Sequence, residues 1–197
     1  MNVLARPSGR VRAVLALGMV LGLGSIGTAA RWTDNVAVTG TTFTSGTIDL
    51  QINDANAVTS ATLSMADMAP GATSAEVFRV KNAGSVPFTY TISGGLGGAD
   101  AAAYAAANAL RLSISAGATR SGTGSAATCT GGTAVATDVA LTTTTSTAIV
   151  GTAQGPVAVG AAGAPLCFQV TFASTAPTSL QGKAATASFT VTATSIP

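Results

Sequence analysis

The sequence predicts an all-β protein, an antiparallel β-sandwich with one short helix inserted between strands. Apolar residues recur at every second position in several short runs, and a period of two places each set on one face of a strand. Turn signals such as Pro70-Gly71, Gly94-Gly95 and Gly131-Gly132 separate the runs. Charged residues make up only 8% of the 197-residue chain, and Thr, Ser, Ala, Gly and Val dominate it. This composition favours strands and turns over solvated helices, and many short strands are typical of a sandwich.

Six runs predict the strands. Their same-face residues, in chain order, are Ile48, Leu50 and Ile52; Phe78 and Val80; Val86, Phe88, Tyr90 and Ile92; Leu110, Leu112 and Ile114; Leu166, Phe168, Val170 and Phe172; and Ala187, Phe189, Val191 and Ala193.

Four segments depart from this alternation. The alanine-rich stretch 100–109 predicts the short helix, because alanine is the best helix former and Asp100 can cap its N-terminus. Residues 117–128 and the Gly- and Ala-rich residues 151–165 are predicted to be loops. The threonine run 142–147 is compatible with either an exposed strand or a loop.

The first thirty residues have the build of a secretory signal peptide. Arginines precede an apolar run over residues 13–26, and small residues follow it, so cleavage is expected between Ala30 and Arg31. An uncut membrane anchor is the alternative. The run is shorter than the ~20 residues that a spanning helix needs, and its glycines weaken it as a helix. We therefore expect a signal peptidase to remove residues 1–30 during export, with membrane contact only through the uncleaved leader.

The mature chain, residues 31–197, is expected to form a single β-sandwich domain. Three of the nine basic residues lie in the leader, so the mature chain has six Lys and Arg against seven Asp and Glu. No basic patch remains that would favour nucleic acid as a partner. Cys129 and Cys167 are predicted to form a disulfide, since an even pair outside the cytoplasm is most simply bonded. Free thiols or a redox pair are the alternative, but no C-x-x-C spacing supports them.

Several motifs follow the leader in order: Trp32-Thr33-Asp34, then Phe43-Thr44-Ser45-Gly46-Thr47-Ile48-Asp49-Leu50, then Pro70-Gly71, then Asn82-Ala83-Gly84-Ser85. Together they resemble the TasA/camelysin family of secreted bacterial proteins, whose pattern is aromatic-x-Asp, F-x-x-G-T-L-D-L, P-G-D and N-x-G-S. Ile48 replaces the usual leucine, and Ala72 stands where the family often has aspartate. The resemblance covers about residues 20–92.

The resemblance implies a jelly-roll-like β-sandwich, secreted to the extracellular matrix or surface of a bacterium, where copies of the protein assemble into biofilm fibres. In the best-known fibres, the mature N-terminal segment of one subunit fills a strand position in the next. The corresponding residues here are Arg31, Trp32, Thr33, Asp34, Asn35, Val36, Ala37, Val38 and Thr39. Strand addition is compatible with their extended pattern. Pairing within the same subunit, or disorder, are the alternatives.

Catalytic residues are expected to be absent, although the camelysin branch has been described as a metalloprotease family. The chain has no histidine, which excludes H-E-x-x-H zinc sites, His-based triads and Cys-His pairs. We expect no cofactor. A weak calcium candidate exists because four oxygen-bearing side chains lie close in sequence, although their spacing is not that of an EF-hand. These are Asp49, Asn53, Asp54 and Asn56.

The sequence therefore predicts a non-enzymatic structural protein that self-assembles by exchange of its N-terminal strand. The alternative is a monomeric sandwich that binds a partner or ligand at the cell surface, because an open sheet edge can receive either a copy of itself or another chain. A secreted hydrolase is the third class.

Overall fold

The computed structural model describes residues 46–56 and 68–196. The expected cleavage site at Ala30 and Arg31 and the expected donor segment 31–39 lie outside the described residues. One α-helix, α1 (Ala101–Ala106), and a short 3₁₀ turn (Thr178–Leu180) accompany the strands of the described part. In chain order these strands are β1 (Leu50–Ile52), β2 (Thr73–Phe78), β3 (Val80–Asn82), β4 (Phe88–Gly97), β5 (Leu110–Ala116), β6 (Thr119–Ser121), β7 (Thr128–Thr130), β8 (Thr133–Ala140), β9 (Ala148–Val157), β10 (Leu166–Phe172) and β11 (Thr186–Ser195).

Two sheets form the sandwich. One has the strand order β2-β10-β5-β8 and the other β11-β4-β9, and neighbouring strands within each are antiparallel. Two small two-stranded sheets, β1-β3 and β6-β7, complete the described strands. The chain repeatedly crosses from one main sheet to the other, so both inner faces receive residues from most of its length. The all-β sandwich with a short inserted helix is confirmed.

The core lies between the two main sheets and is built by the predicted alternation. Every second residue of β4, β5 and β10 is buried, including Ile92, Leu112 and Phe168. The ring of Phe168 lies 5.1 Å from that of Phe78 and 5.5 Å from that of Phe189, measured between centroids. These contacts join β2, β10 and β11, and each such aromatic pair is worth about 1 kcal/mol beyond the area it buries.

Two predicted strands begin or end differently in the structure. Ile48 precedes β1 and is 44% exposed. The run through Phe78 and Val80 is split at Arg79 into β2 and β3. Arg79 leaves the sheet because its backbone N–H donates to Asn53 Oδ1 at 2.9 Å and its carbonyl accepts from the Asn53 N–H at 3.0 Å. Side-chain hydrogen bonds to the backbone of this kind compete with strand pairing.

The prediction of a loop over residues 151–165 is wrong in its first half, because β9 extends to Val157. The register of β9 against β4 shifts three times between Phe88 and Ser93. Each irregularity interrupts the alternation of buried and exposed residues, so β9 has no period of two for the sequence to show. β8 was missed for the same reason, since its register on β5 also shifts. Within 117–128, the three residues of β6 are strand instead of loop. Residues 142–147 form a loop.

The prediction that the Asp100 side chain caps α1 is wrong. Asp100 stands at the N-cap position, but its side chain makes no capping hydrogen bond. Its Oδ2 instead accepts from the Ala184 N–H at 3.1 Å, and its Oδ1 lies 3.6 Å from Lys183 Nζ. The buried Tyr104 hydroxyl donates to the Lys183 carbonyl at 2.8 Å. The helix is thus held to the segment before β11 by two side chains.

Alkaline pH should weaken this attachment. Burial, and secondarily the negative charge of Asp100, raise the pKa of Tyr104 above its ordinary value of 10.0. The stabilising effect of the protonated phenol is therefore complete below about pH 10 and is lost as the pH rises towards the folded-state pKa. Tyr104→Phe should cost about 1 kcal/mol at pH 7. Urea unfolding across pH 8–12 measures the free energy of unfolding, which should fall less above pH 10 for this variant than for wild type. The fall that remains in the variant is due to Tyr90, whose pKa is also raised by burial.

The predicted disulfide between Cys129 and Cys167 is present, with the two Cα atoms 5.8 Å apart. It fastens the β6-β7 hairpin to the outer face of the four-stranded sheet. There Ala75, Ala118 and Ala127 are buried together with Cys167. The Cys129 N–H also donates to Gln169 Oε1 at 2.8 Å.

Within the described residues, no helix has the length and apolar character needed to cross a membrane.

Removal of the disulfide should destabilise the sandwich without unfolding it. Closing a loop with a sequence separation of 38 residues is worth about 4 kcal/mol in the chain-entropy model. The double variant Cys129→Ala, Cys167→Ala should lower the free energy of unfolding by 2–4 kcal/mol. Urea denaturation of the variant, compared with reduced wild type, measures the change. Equal stabilities of the oxidised and reduced wild-type protein would contradict the estimate.

Candidate assembly site: an N-terminal clamp and an open sheet edge

Residues 46–49 lie along the turn formed by residues 82–86, and we call this pair of segments the N-terminal clamp. The Thr47 N–H donates to Ser85 Oγ, and the Ser85 N–H donates to the Thr47 carbonyl, both at 2.9 Å. The Ala83 N–H donates to the Asp49 carbonyl at 2.8 Å. These bonds continue the β1-β3 pairing, in which Leu50 stands opposite Asn82. The chain that follows the expected donor segment is therefore fixed on the sandwich from residue 46 onwards.

Asn82 holds the turn of the clamp. Its side chain is completely buried. The side-chain Nδ2 donates to the carbonyls of Val86 at 2.8 Å and Val157 at 3.1 Å, and Oδ1 accepts from the Gly84 N–H at 3.0 Å. Both amide hydrogens and the oxygen thus have partners, as a buried amide requires. One side chain connects the turn to the end of β9.

Gly84 is required by the close approach of the two segments. A Cβ at this position would collide with the Thr47 carbonyl oxygen and would lie 2.7 Å from the Asp49 nitrogen. Both are backbone atoms, so neither can move aside without breaking the hydrogen bonds of the clamp. Residues 47–49 of the first motif and residues 83–85 of the second, both of which carry the family resemblance, therefore contact each other, and Gly84 is needed for that contact.

The clamp lies beside the end of β11. An open cleft there is lined by Gly46, Ile48, Val86, Ser195 and Ile196. Ser195 is the last residue of β11 and pairs with Phe88, and the Ile196 N–H donates to the Pro87 carbonyl at 3.1 Å. Gly46, the first described residue, therefore lies next to one end of this strand.

β11 is the most regular edge strand of the described sandwich. All ten of its residues pair with β4 in an unbroken register from Thr186 to Ser195. Within residues 46–56 and 68–196, no strand pairs with its other side. Its core-facing side chains, Phe189 and Val191 among them, are only half-buried, whereas those of the neighbouring β4 are buried. A strand added beside β11 would cover apolar surface as well as satisfy backbone groups.

The other edge strands carry features that oppose strand addition. β8 and β9 are bulged, and Asp138 in β8 has a φ of 50°. In β2 the charged Glu76 stands on the core-facing side opposite Phe168. Bulges and inward-pointing charges are devices by which proteins block edge pairing. β11 carries neither, which makes it the candidate acceptor edge.

The calcium candidate residues serve a turn. Asn53 and Asp54 have left-handed φ values of 51° and 65°. The Asn53 oxygen accepts from Arg79, and Asp54 pairs with Lys81. Asp49 enters the clamp through its backbone carbonyl. The described residues contain no group of three or more His, Cys, Asp or Glu side chains that could hold a metal ion.

Comparison with known families identifies the region that contains the clamp. A family model described as camelysin metallo-endopeptidase matches residues 7–91, which include both segments of the clamp. The match supports a TasA/camelysin-like assignment for this part of the chain. The match ends within β4, so most strands of the sandwich lie beyond it. No curated protein matches the chain.

The residues of this camelysin-like chain do not fit the catalytic zinc that the family's description implies. Zinc sites in metallopeptidases draw on histidine, and the whole sequence contains none. Both cysteines are consumed in the disulfide. The only glutamate, Glu76, lies in β2 on the core-facing side of the sheet.

Two substitutions test the clamp. Asn82→Ala removes the side-chain partners of two carbonyls and one N–H in a buried setting and should lower the free energy of unfolding by about 3 kcal/mol. Gly84→Ala should lower it by about 2 kcal/mol through the backbone collision. Gly151→Ala is the matched control, because the nearest atom to its Cβ is 3.8 Å away. The control should change stability by less than about 0.5 kcal/mol in urea denaturation. Similar values for Gly84→Ala and Gly151→Ala would show that the clamp does not constrain the fold.

Proposed function

We propose that this protein is a secreted structural protein that assembles with copies of itself into extracellular fibres. The segment 31–39 of one subunit would add as a strand to the free edge of β11 in the next. Two observations carry the proposal: β11 is an unbroken ten-residue strand with no further partner among the described residues, and the clamp fixes residues 46–49 beside its end. At the family level, the camelysin match supports a secreted, structural protein of the biofilm type.

The lengths agree with this arrangement. The segment 31–39 has nine residues, close to the ten of β11. Residues 40–45 connect it to the clamp and can span about 20 Å when extended, which is enough to reach a neighbouring molecule. Main-chain hydrogen bonds would supply affinity along the whole edge, and alternate side chains would supply specificity.

The chemistry of the donor segment matches the acceptor edge. Trp32, Val36 and Val38 share one parity and would lie over the half-buried Phe189 and Val191. Burial of such side chains is the main favourable term, at about 25 cal/mol per Å² of apolar surface. The mature chain has a net charge close to zero, so little electrostatic repulsion opposes contact between copies. We infer no enzymatic activity, because the side chains of a catalytic zinc site are missing from the sequence.

Deletion of residues 31–39 tests the donor role. Protein collected after export and leader removal should form fibres in electron micrographs, whereas the deleted protein should remain monomeric in size-exclusion chromatography. Adding a synthetic peptide of residues 31–39 should give saturable binding to the deleted protein and should cap growth of wild-type fibres. Fibres of equal length from both proteins would overturn the donor role. A wild-type monomer that binds another ligand saturably would favour the binding module instead.

A pair of substitutions tests the acceptor edge with the same change in charge. Val191→Lys places an ammonium group on the core-facing side of β11, where the incoming strand would bury it, and should abolish fibres. Thr190→Lys places the same group on the exposed side of the same strand and should leave fibres intact. Thermal melting checks that both variants fold. If both variants assemble equally well, β11 is not the acceptor edge.

A further inference from the structure

The loop between β8 and β9 is rigidly seated on the end of β4. The Leu96 N–H donates to the Thr142 carbonyl at 2.7 Å, and the Gly94 N–H donates to the Thr147 carbonyl at 3.0 Å. Between them the chain passes so close to Gly95 that a Cβ there would lie 2.8 Å from the Thr144 carbonyl oxygen. The hydroxyls of Thr142 and Thr147 lie 3.2 Å apart and close the base of the loop. The loop backbone is therefore fixed at both ends.

This seating presents four consecutive hydroxyl side chains to solvent. Thr143, Thr144, Thr145 and Ser146 are all exposed, and their side-chain oxygens make no hydrogen bond to the described part of the protein. Several other turns of the described chain contain glycine or asparagine in the left-handed region, which those residues adopt readily. Threonine has no such reason at the three exposed positions 143–145. Packing and turn geometry therefore leave these hydroxyls unexplained.

A second hydroxyl-rich loop lies at the same end of the sandwich. It follows β10, and Ser174, Thr175, Thr178 and Ser179 are exposed on it around Pro177. The two loops start from neighbouring positions, because Leu141 N–H donates to the Leu110 carbonyl and Ala173 N–H donates to the Ala109 carbonyl. The N-terminal clamp is at the opposite end of β4 and β11. Clusters of Ser and Thr with proline are typical of O-glycosylated segments.

The sequence on either side of this loop is also poor in charged residues. Between Arg120 and Lys183 the only charged residue is Asp138. Surfaces of secreted proteins without charge depend on other polar groups to prevent non-specific association. An attached sugar would supply such groups. A phosphate is a poorer match, because the basic side chains of the elements at this end, Arg111 and Lys183, already pair with Asp138 and Asp100.

We propose that Thr143–Ser146 is an O-glycosylation site. A Ser or Thr Oγ attacks the anomeric carbon of an activated sugar phosphate, forming the C–O bond to the protein and breaking the C–O bond to phosphate. The hydroxyl proton passes to a base of the transferase, and the phosphate leaves. A loop tip can enter the cleft of a transferase, whereas hydroxyls on a paired strand lie flush with the sheet. The proposal rests on export of the chain, which is part of the proposed function, but not on fibre formation.

The test is the intact mass of the full protein isolated from the producing bacterium's medium or cell surface. The mass should exceed that of residues 31–197 by whole sugar residues, and fragmentation of the peptide containing residues 141–147 should place them there. The variant Thr143→Ala, Thr144→Ala, Thr145→Ala, Ser146→Ala should lose this increment. The variant Ser188→Ala, Thr190→Ala, Thr192→Ala, Thr194→Ala has the same composition of exposed hydroxyls on β11 and should keep it.

Each outcome decides the proposal. A mass equal to that of the sequence, a phosphate increment, or sugars located only outside residues 143–146 would overturn it. Peptide mapping of the wild type gives this answer even if a variant is not exported. The same spectrum shows whether residues 1–30 have been removed, so a failure of export is distinguished from a failure of glycosylation. A glycosylated protein that stays monomeric would support the modification and contradict only the assembly.

Discussion

The buried side chain of Asn82 is the interaction on which the rest of the described structure depends. Its three hydrogen bonds hold the turn of residues 82–86 in the one shape that accepts residues 46–49, and they tie that turn to the end of β9. A buried amide with every polar atom paired is strongly directional, because any other arrangement leaves unpaired groups inside the protein. Hydrophobic burial drives the two sheets together, whereas this amide fixes the position of residues 46–49 and of the turn 82–86 relative to them.

The fold class followed from the sequence because the inner strands obey simple alternation. β4, β5 and β10 bury every second residue, and their apolar positions were read directly from the chain. β8 and β9 were missed because bulges displace their register and remove the period of two. The helix was predicted by its alanines, but the role of Asp100 was not, since its partners at Lys183 and Ala184 lie more than 80 residues away. Long-range pairing of this kind leaves no local signal.

The candidate site was only partly predictable. The motifs around Gly46 and Asn82 stood out as a resemblance, yet nothing in their spacing indicated that they touch. Their contact depends on β1 pairing with β3 across a turn and a long intervening segment, which only the structure supplies. The disulfide was predictable because the chain has two cysteines, which allow a single pairing. That β11 is the candidate acceptor edge was not predictable, since the position of a strand in its sheet depends on the strand order.

The separation of the clamp from the hydroxyl-bearing loops has a consequence for any polymer of this chain. Each subunit has two unlike poles, because one end of β11 adjoins Gly46 and the other begins near the loops after β8 and β10. Head-to-tail addition of such subunits produces a filament with direction. In a fibre built as we propose, one terminus would display an unoccupied acceptor strand and the other an unused donor segment, so the two termini would differ in growth rate and in what they bind.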